Sequence, residues 1–427
     1  MKTSRNFPRL ACLRPLVVGA LLLIACLPRS ASATDPALTR FVEEVLQRNP
    51  SLKARALERD SVRREASAAG LFPDPEVAIM VDRVPERMGG EMPMVRYQVS
   101  QMLPWPGKLD LMEQALARRA DGREALTRVR ALDLERDAKR AYFMLALNTG
   151  MRSVNHSSRE LLTTIASTAL ARYGAGVGGH HEVVRAEVER NALDVEAVDL
   201  DGERISTVAM MNALRNTDAD APFPDPPLPT ADEDVRPPSL AELVKFADAH
   251  RPELAAMRAM QREESTMAAL ARRERLPDFM TSLWYNQNVG GPDSGGLMVG
   301  ATLPVFNVRR QNRHAEAADL RAASVGGDLQ AMRAMIRFEV ADALRRFETA
   351  NRSLDLVVKL AAPRAQDSFS SSLAAFSAGS VDMVGVLDAW RALQSIELAR
   401  VQALIARSAS IADIERAIAG PMPKATP

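Results

Sequence analysis

Apolar residues change period twice in each half of the chain, in the same order both times. Short helices are predicted over Leu38–Gln47 and Ser51–Ala69, after which the period falls to two. Val95, Tyr97 and Val99 alternate with Arg96, Gln98 and Ser100 along a strand predicted over Met94–Leu103, and Glu76–Val84 also has β character. Helical spacing then returns. No proline occurs from Lys108 to about Ala171, and Leu134, Ala138, Ala141 and Leu145 step by four, three and four, the seam of a coiled coil. A continuous helix of that length would reach ~100 Å at ~1.5 Å per residue, with Gly150 as a local weak point. The glycine-rich turn Gly174–Gly179 leads into a further helix over Glu182–Leu214.

The second half follows the same plan. Strands are predicted over Phe279–Asn286 and Leu297–Leu303 around Gly290–Gly296, then helices over Arg310–Ala375, kinked at Pro363, and Asp382–Ala419. Four landmarks recur in order, roughly 200 residues apart. Asn49-Pro50-Ser51-Leu52 returns as Arg251-Pro252-Glu253-Leu254, and Phe72-Pro73-Asp74 as Leu276-Pro277-Asp278. Met102-Leu103-Pro104 returns as Thr302-Leu303-Pro304, and Tyr173-Gly174-Ala175-Gly176 as Phe376-Ser377-Ala378-Gly379. The expected fold is therefore mainly α with a small β part, a tandem repeat of long antiparallel helices and β-hairpins. Residues 34–216 would form the first repeat, 217–238 a proline-rich linker, 239–420 the second repeat and 421–427 a tail. Ser239-Leu240-Ala241-Glu242 reads as the capping box that restarts the pattern.

Each β run has about the length that crosses a bilayer when tilted. Four strands cannot close a barrel, because membrane barrels need at least ~8, and an open edge cannot face lipid. The hairpins thus form either a small water-soluble sheet or part of a barrel made by several copies; their recurrence in an exported chain favours the barrel. The long amphipathic helices also need partners, having no globular core in which to bury their seams.

Export is read from the N-terminus. Lys2, Arg5, Arg9 and Arg14 precede the apolar run Leu16–Cys26, and Ala31-Ser32-Ala33 forms a cleavage site, making residues 1–33 a signal peptide. Leu23-Ile24-Ala25-Cys26 competes as a lipobox with Cys26 acylated, though Leu27, Pro28 and Arg29 are poor followers. Both cysteines, Cys12 and Cys26, lie in this leader, so disulfide, thiolate and zinc-thiolate chemistry is excluded from the remainder. A net charge of +1 without a long basic run gives nucleic-acid binding no support. There is no nucleophile elbow, metal-ligand helix or phosphate loop, and Gly174-Ala175-Gly176 follows a helix rather than a strand, so no enzyme is indicated and no cofactor is expected.

These residues together resemble the TolC-type outer-membrane efflux channels, specifically the branch paired with heavy-metal pumps of the resistance-nodulation-division class. The likeness rests on Asn49-Pro50, on Gln101 through Leu109 at the strand-to-helix junction, and on Arg172-Tyr173-Gly174-Ala175-Gly176 with Arg185 through Glu189. Ala378 through Asp382 and Val386-Leu387-Asp388-Ala389 complete it. The resemblance implies a homotrimer in outer-membrane lipid, its helices in the periplasm, joined by a periplasmic adaptor to an inner-membrane pump. It implies a passive duct for metal cations; drugs, other small molecules or secreted proteins are the alternatives. A periplasmic coiled-coil adaptor or structural protein is the rival from another class.

By the same resemblance, Tyr173, Gly174, Gly176, His180, His181, Phe376, Gly379 and Asp382 lie at the periplasmic tip and meet the adaptor. Two aspartates that ring the family's gate fall on Gly385 and Asp388, so one carboxylate is missing. The tyrosine and arginine that lock some members shut fall on Phe376 and Val381, which cannot make that polar link. Two readings from the residues themselves concern metals. His180 and His181 could bind a transition metal but suit polar contact better. Met88, Met92 and Met94 offer thioethers to Cu(I) in the first outer loop. Trp105 and Tyr97 suit a membrane interface, although Trp105 could simply pack the junction. Arg185 and Glu189 read as a solvated helix pair.

Overall fold

The computed structural model describes residues 35–82, 94–230, 235–303 and 308–423. The first half contains α1 (Pro36–Arg48), α2 (Pro50–Ala69), β1 (Glu76–Asp82), β2 (Met94–Leu103), α3 (Lys108–Gly174) and α4 (His180–Leu214). The second contains α5 (Leu240–His250), α6 (Pro252–Arg273), β3 (Asp278–Asn288) and β4 (Ser294–Thr302). It continues with α7 (Val308–Leu356), a π-helical turn at Val357–Ala361, α8 (Ala362–Ser377) and α9 (Met383–Ile418). The expected signal peptide, Cys26, Met88 and Met92 lie outside the described residues.

Local signals account for the element ends. Asn49 caps α2 by accepting from the Ser51 N–H, with Pro50 in the first turn where a missing N–H costs nothing. Its amide also donates to the Leu214 carbonyl (2.8 Å), tying α2 to the end of α4. Ser239 and Glu242 form the reciprocal capping box at α5.

Helix α3 runs unbroken for 67 residues, ~100 Å at the α-helical rise. Leu134, Ala138, Ala141 and Leu145 are all buried against neighbouring helices. Gly150 does not weaken the helix; it makes room. A Cβ there would come within 2.5 Å of Val401 on α9 and 2.9 Å of Leu228 in the proline-rich segment. Two buried asparagines set the α3–α4 register, Asn148 donating to the Leu200 carbonyl (2.8 Å) and Asn155 to that of Leu193 (3.0 Å). The expected kink at Pro363 takes the form of the π turn just before it. Proline has no N–H for the carbonyl four residues back, and widening the helix re-routes those bonds.

The long helices pack as a layer in which α3 touches α4 and α9, and α9 touches α7 and α8. Among the described residues, α4 and the α7–α8 arm do not pack along each other's length, so the layer has two free edges. The strands behave alike. They form one antiparallel sheet in the order β1-β2-β3-β4, joining the two halves through the β2–β3 pair and leaving β1 and β4 as open edges. The junction is pinned by Asp278, which accepts from the Trp105 N–H and the Lys108 ammonium, both at 2.8 Å. Trp105 stacks on Phe279 with ring centroids 5.7 Å apart, so its role is packing at this junction.

Candidate functional site

The strand register sorts the sheet into two faces. Directly paired neighbours Val77, Val99, Leu283 and Leu297 cross it in one row, and Ile79, Tyr97 and Tyr285 in the next, with Val299 and Phe279 on the same side. These side chains are exposed; Val77 stands 73% and Leu297 68% accessible. The opposite face carries Gln98, Arg96, Ser100, Ser282, Asn286 and Ser294. There Arg96 donates to Asn286 (2.9 Å) and Asn286 to Ser294 (3.1 Å). An apolar face turned outward with a hydrogen-bonded polar face behind it is the pattern of a membrane barrel wall, not of a water-soluble sheet. Tyr97 lies on the apolar face, as a membrane-facing aromatic requires.

The helices meet their other end in two turns with one design. At the first, the Val177 N–H bonds the Arg172 carbonyl and the Gly176 N–H that of Tyr173; at the second, Ser380 bonds Ala375 and Gly379 bonds Phe376. Both are Schellman caps, and each demands a left-handed residue after the helix. Gly176 (φ 70°) and Gly379 (φ 79°) supply it. Gly174 is the last residue of α3 and carries no such demand. Asp382 caps α9, accepting from the Gly385 N–H at 2.9 Å.

Phe376 is fully buried in the tip core with Ile165, Ala169, Val183, Val386 and Trp390. Arg172 covers it. The guanidinium lies 4.5 Å from the Phe376 ring, donates to the Phe376 carbonyl and faces Glu182 across 3.9 Å. A polar tie between the two turns therefore exists, but the first turn provides its arginine. An open groove of about 630 Å³ lies between the turns, lined by Ser167, Ala171, Arg172, Val177, Ser377 and Gly379 among others.

His180 and His181 sit in the first turn of α4, not in the loop; His180 packs edge-on against Tyr173 at 5.5 Å. No group of three His, Cys, Asp or Glu side chains placed to hold a metal occurs among the described residues. Asp388 is exposed and pairs with Arg391 one turn along (3.2 Å). Arg391 also bonds Glu189 on α4, which raises its pKa above the ordinary value and ties α9 to α4. Glu189 thus pairs across helices, a partner that spacing alone assigned to Arg185. Gly385 leaves space next to the Val381 side chain, 2.7 Å from where a Cβ would stand. Sequence reasoning missed Arg172 as the tie and Arg391 as the partner of Asp388. Their signals, an arginine directly before the first tip landmark and an Asp-x-x-Arg spacing, gain meaning only once α3, α4, α8 and α9 are neighbours.

The comparisons with known proteins fit this geometry. Residues 243–420 match the family described as outer membrane efflux protein. The match covers the second repeat, less than half of the chain. No curated protein matches the chain. Among solved structures, CusC superposes with a TM-score of 0.80 at 15% identity, covering 91% of this chain and 93% of that one. VceC from Vibrio cholerae gives 0.76 at 17%, over 90% and 97%. The open state of MtrE from Neisseria gonorrhoeae gives 0.76 at 19%, over 92% and 91%. At such identities the likeness is one of fold, and it spans both repeats. The chain thus has the fold of solved outer-membrane channels, and its second repeat matches the outer membrane efflux protein family. No helix among the described residues is long and apolar enough to cross a membrane.

Proposed function

We propose that this protein is an outer-membrane channel and the exit duct of a tripartite efflux system, a homotrimer joined by a periplasmic adaptor to an inner-membrane pump of the resistance-nodulation-division class. One observation carries the reading: the wall is open on both edges in both of its layers. Strands β1 and β4 present unpaired backbone groups beside an apolar face, which hydrocarbon does not tolerate. Three copies supply twelve strands, within the range of known even-numbered barrels, ~8 to 26 or more.

The helical edges support the same assembly. Along α4, Val184, Val188, Val195, Val198 and Ile205 are exposed, and with Asn191 and Gly202 they fill a three-four repeat. That is a coiled-coil seam without a partner in its own chain. On the other edge, Met335, Phe338, Leu356 and Leu360 are exposed along α7 and the π turn. The α4 seam of one copy would pack against that arm of the next. The tip groove and its glycine turns are the surface offered to the adaptor, with Tyr173, His180 and His181 beside it.

Cations of metals are the leading cargo, ahead of drugs, other small molecules or proteins. Threefold repetition would set three Asp388 carboxylates around the mouth, with Arg391 offsetting part of their field. Detergent-extracted protein should scatter light with the mass of three chains and form cation-selective pores in planar bilayers. Asp388→Asn should lower the preference for cations over anions. A stable monomer recovered without membrane would end the duct reading; unchanged selectivity would remove only Asp388 from it.

A further inference from the structure

The face of the sheet that carries Arg96, Gln98 and Asn286 also holds a cluster of three methionines at one end. Met102 on β2 lies directly opposite Met280 on β3, and Met280 lies opposite Gly300 on β4. Met298, two residues before Gly300, therefore sits diagonally next to Met280 on the same face, opposite Ser282. All three thioethers are accessible, at 49%, 38% and 39%. Directly opposed Cβ atoms in antiparallel strands stand ~4.5–5.5 Å apart and diagonal ones ~7–8 Å, within reach of a side chain with three rotatable bonds. Gly300, having no side chain, leaves the space between Met280 and Met298 unfilled.

Apolar side chains on this face have no lipid to face. The rows beyond them hold Glu76, Ser100 and Ser282, then Ala78, Gln98 and Trp284, then Met80, Arg96, Asn286 and Ser294, so the three methionines stand at its helical end, beside a mostly polar surface. Thioether sulfur is a weak hydrogen-bond acceptor but a good ligand for soft metals, and two or three converging thioethers with no carboxylate among them select monovalent copper or silver over Zn²⁺ or Mg²⁺.

We propose that Met102, Met280 and Met298 form a thioether site for a soft monovalent cation, Cu(I) or Ag(I), on the channel-lining face of the sheet. The proposal rests on the duct reading for its meaning, since it specifies one class of cargo, but the site itself lies within a single chain. It differs from the loop methionines: Met94 is buried opposite Asn288, at the far end of the sheet.

The test is a silver titration of the full-length protein in detergent, followed by calorimetry and by sulfur coordination in the silver X-ray absorption spectrum. The unaltered protein should bind Ag(I) with sulfur neighbours. Replacing the three methionines by leucine, which preserves volume, should weaken that binding at least tenfold, and Met280→Leu alone should weaken it measurably should the triple variant fold poorly. Met144→Leu, exposed on α3, should leave silver binding unchanged. Equal silver affinity in the Met280→Leu and unaltered proteins overturns the proposal. Light scattering on the same samples separates the two readings: a trimer with unaltered silver binding removes the site and leaves the duct, whereas a monomer that binds silver through these sulfurs removes the duct and leaves the site.

Discussion

The two tip turns share a backbone and differ in what they cover. Each closes a pair of long helices with a Schellman cap and a glycine at positive φ. At equivalent positions, however, Tyr173 is 47% exposed beside His180, while Phe376 is wholly buried beneath Arg172. The residue equivalent to Arg172 in the second turn is Ala375, so the tie runs in one direction only. Duplication set the path of the chain twice; divergence then made one turn the anchor and the other the clasp. The helices leading to the turns differ likewise, α3 being continuous and its counterpart interrupted by a π turn just before Pro363.

The comparison breaks most sharply at its aromatic pair. Phe376→Ala should cost about 3–5 kcal/mol through lost burial and the cavity left behind, whereas Tyr173→Ala should stay within about 0.5 kcal/mol, as exposed positions do. Denaturation of the two variants side by side measures the difference, and equal losses would refute the division of roles. Next in size, Arg172→Ala should cost roughly 2–4 kcal/mol, because it removes the cover from Phe376 and leaves Glu182 buried without its counter-charge. Hydrogen exchange should then accelerate at amides 376–380, and Arg172→Lys should restore only part of the protection, lacking a planar group to stack.

Smaller again, Gly176→Ala and Gly379→Ala should each cost about 1–2 kcal/mol, the penalty of a left-handed alanine. Here the turns should agree, since their backbones do. Gly174→Ala, in helical backbone with open space around it, should instead stabilise by up to about 1 kcal/mol. A loss at Gly174 as large as that at Gly176 would show that the caps are misassigned.

Much of this architecture was legible in the residues. The two-fold change from period two to helical spacing placed both hairpins and every long helix, and β2 was read to its observed ends because alternation stops at Leu103, before Pro104 and Pro106. Glycines one turn past an apolar helix located both tips. The roles assigned to single residues were less legible. The helix predicted from Glu182 already begins at His180, because Gly179 ends the turn sooner than the first apolar residue suggests. Gly150 looked like a defect, and its purpose depends on Leu228 and Val401, far away in sequence.

Periodicity is a local property, so the chain by itself determined which stretches are strand or helix, where they turn, and that each half follows one plan. Which elements touch is a matter of packing between residues some 200 positions apart. Only the tertiary structure decided that β2 pairs with β3, that Arg172 rather than a residue of its own turn reaches Phe376, and that α4 and β1 end a wall at one side while α7 and β4 end it at the other.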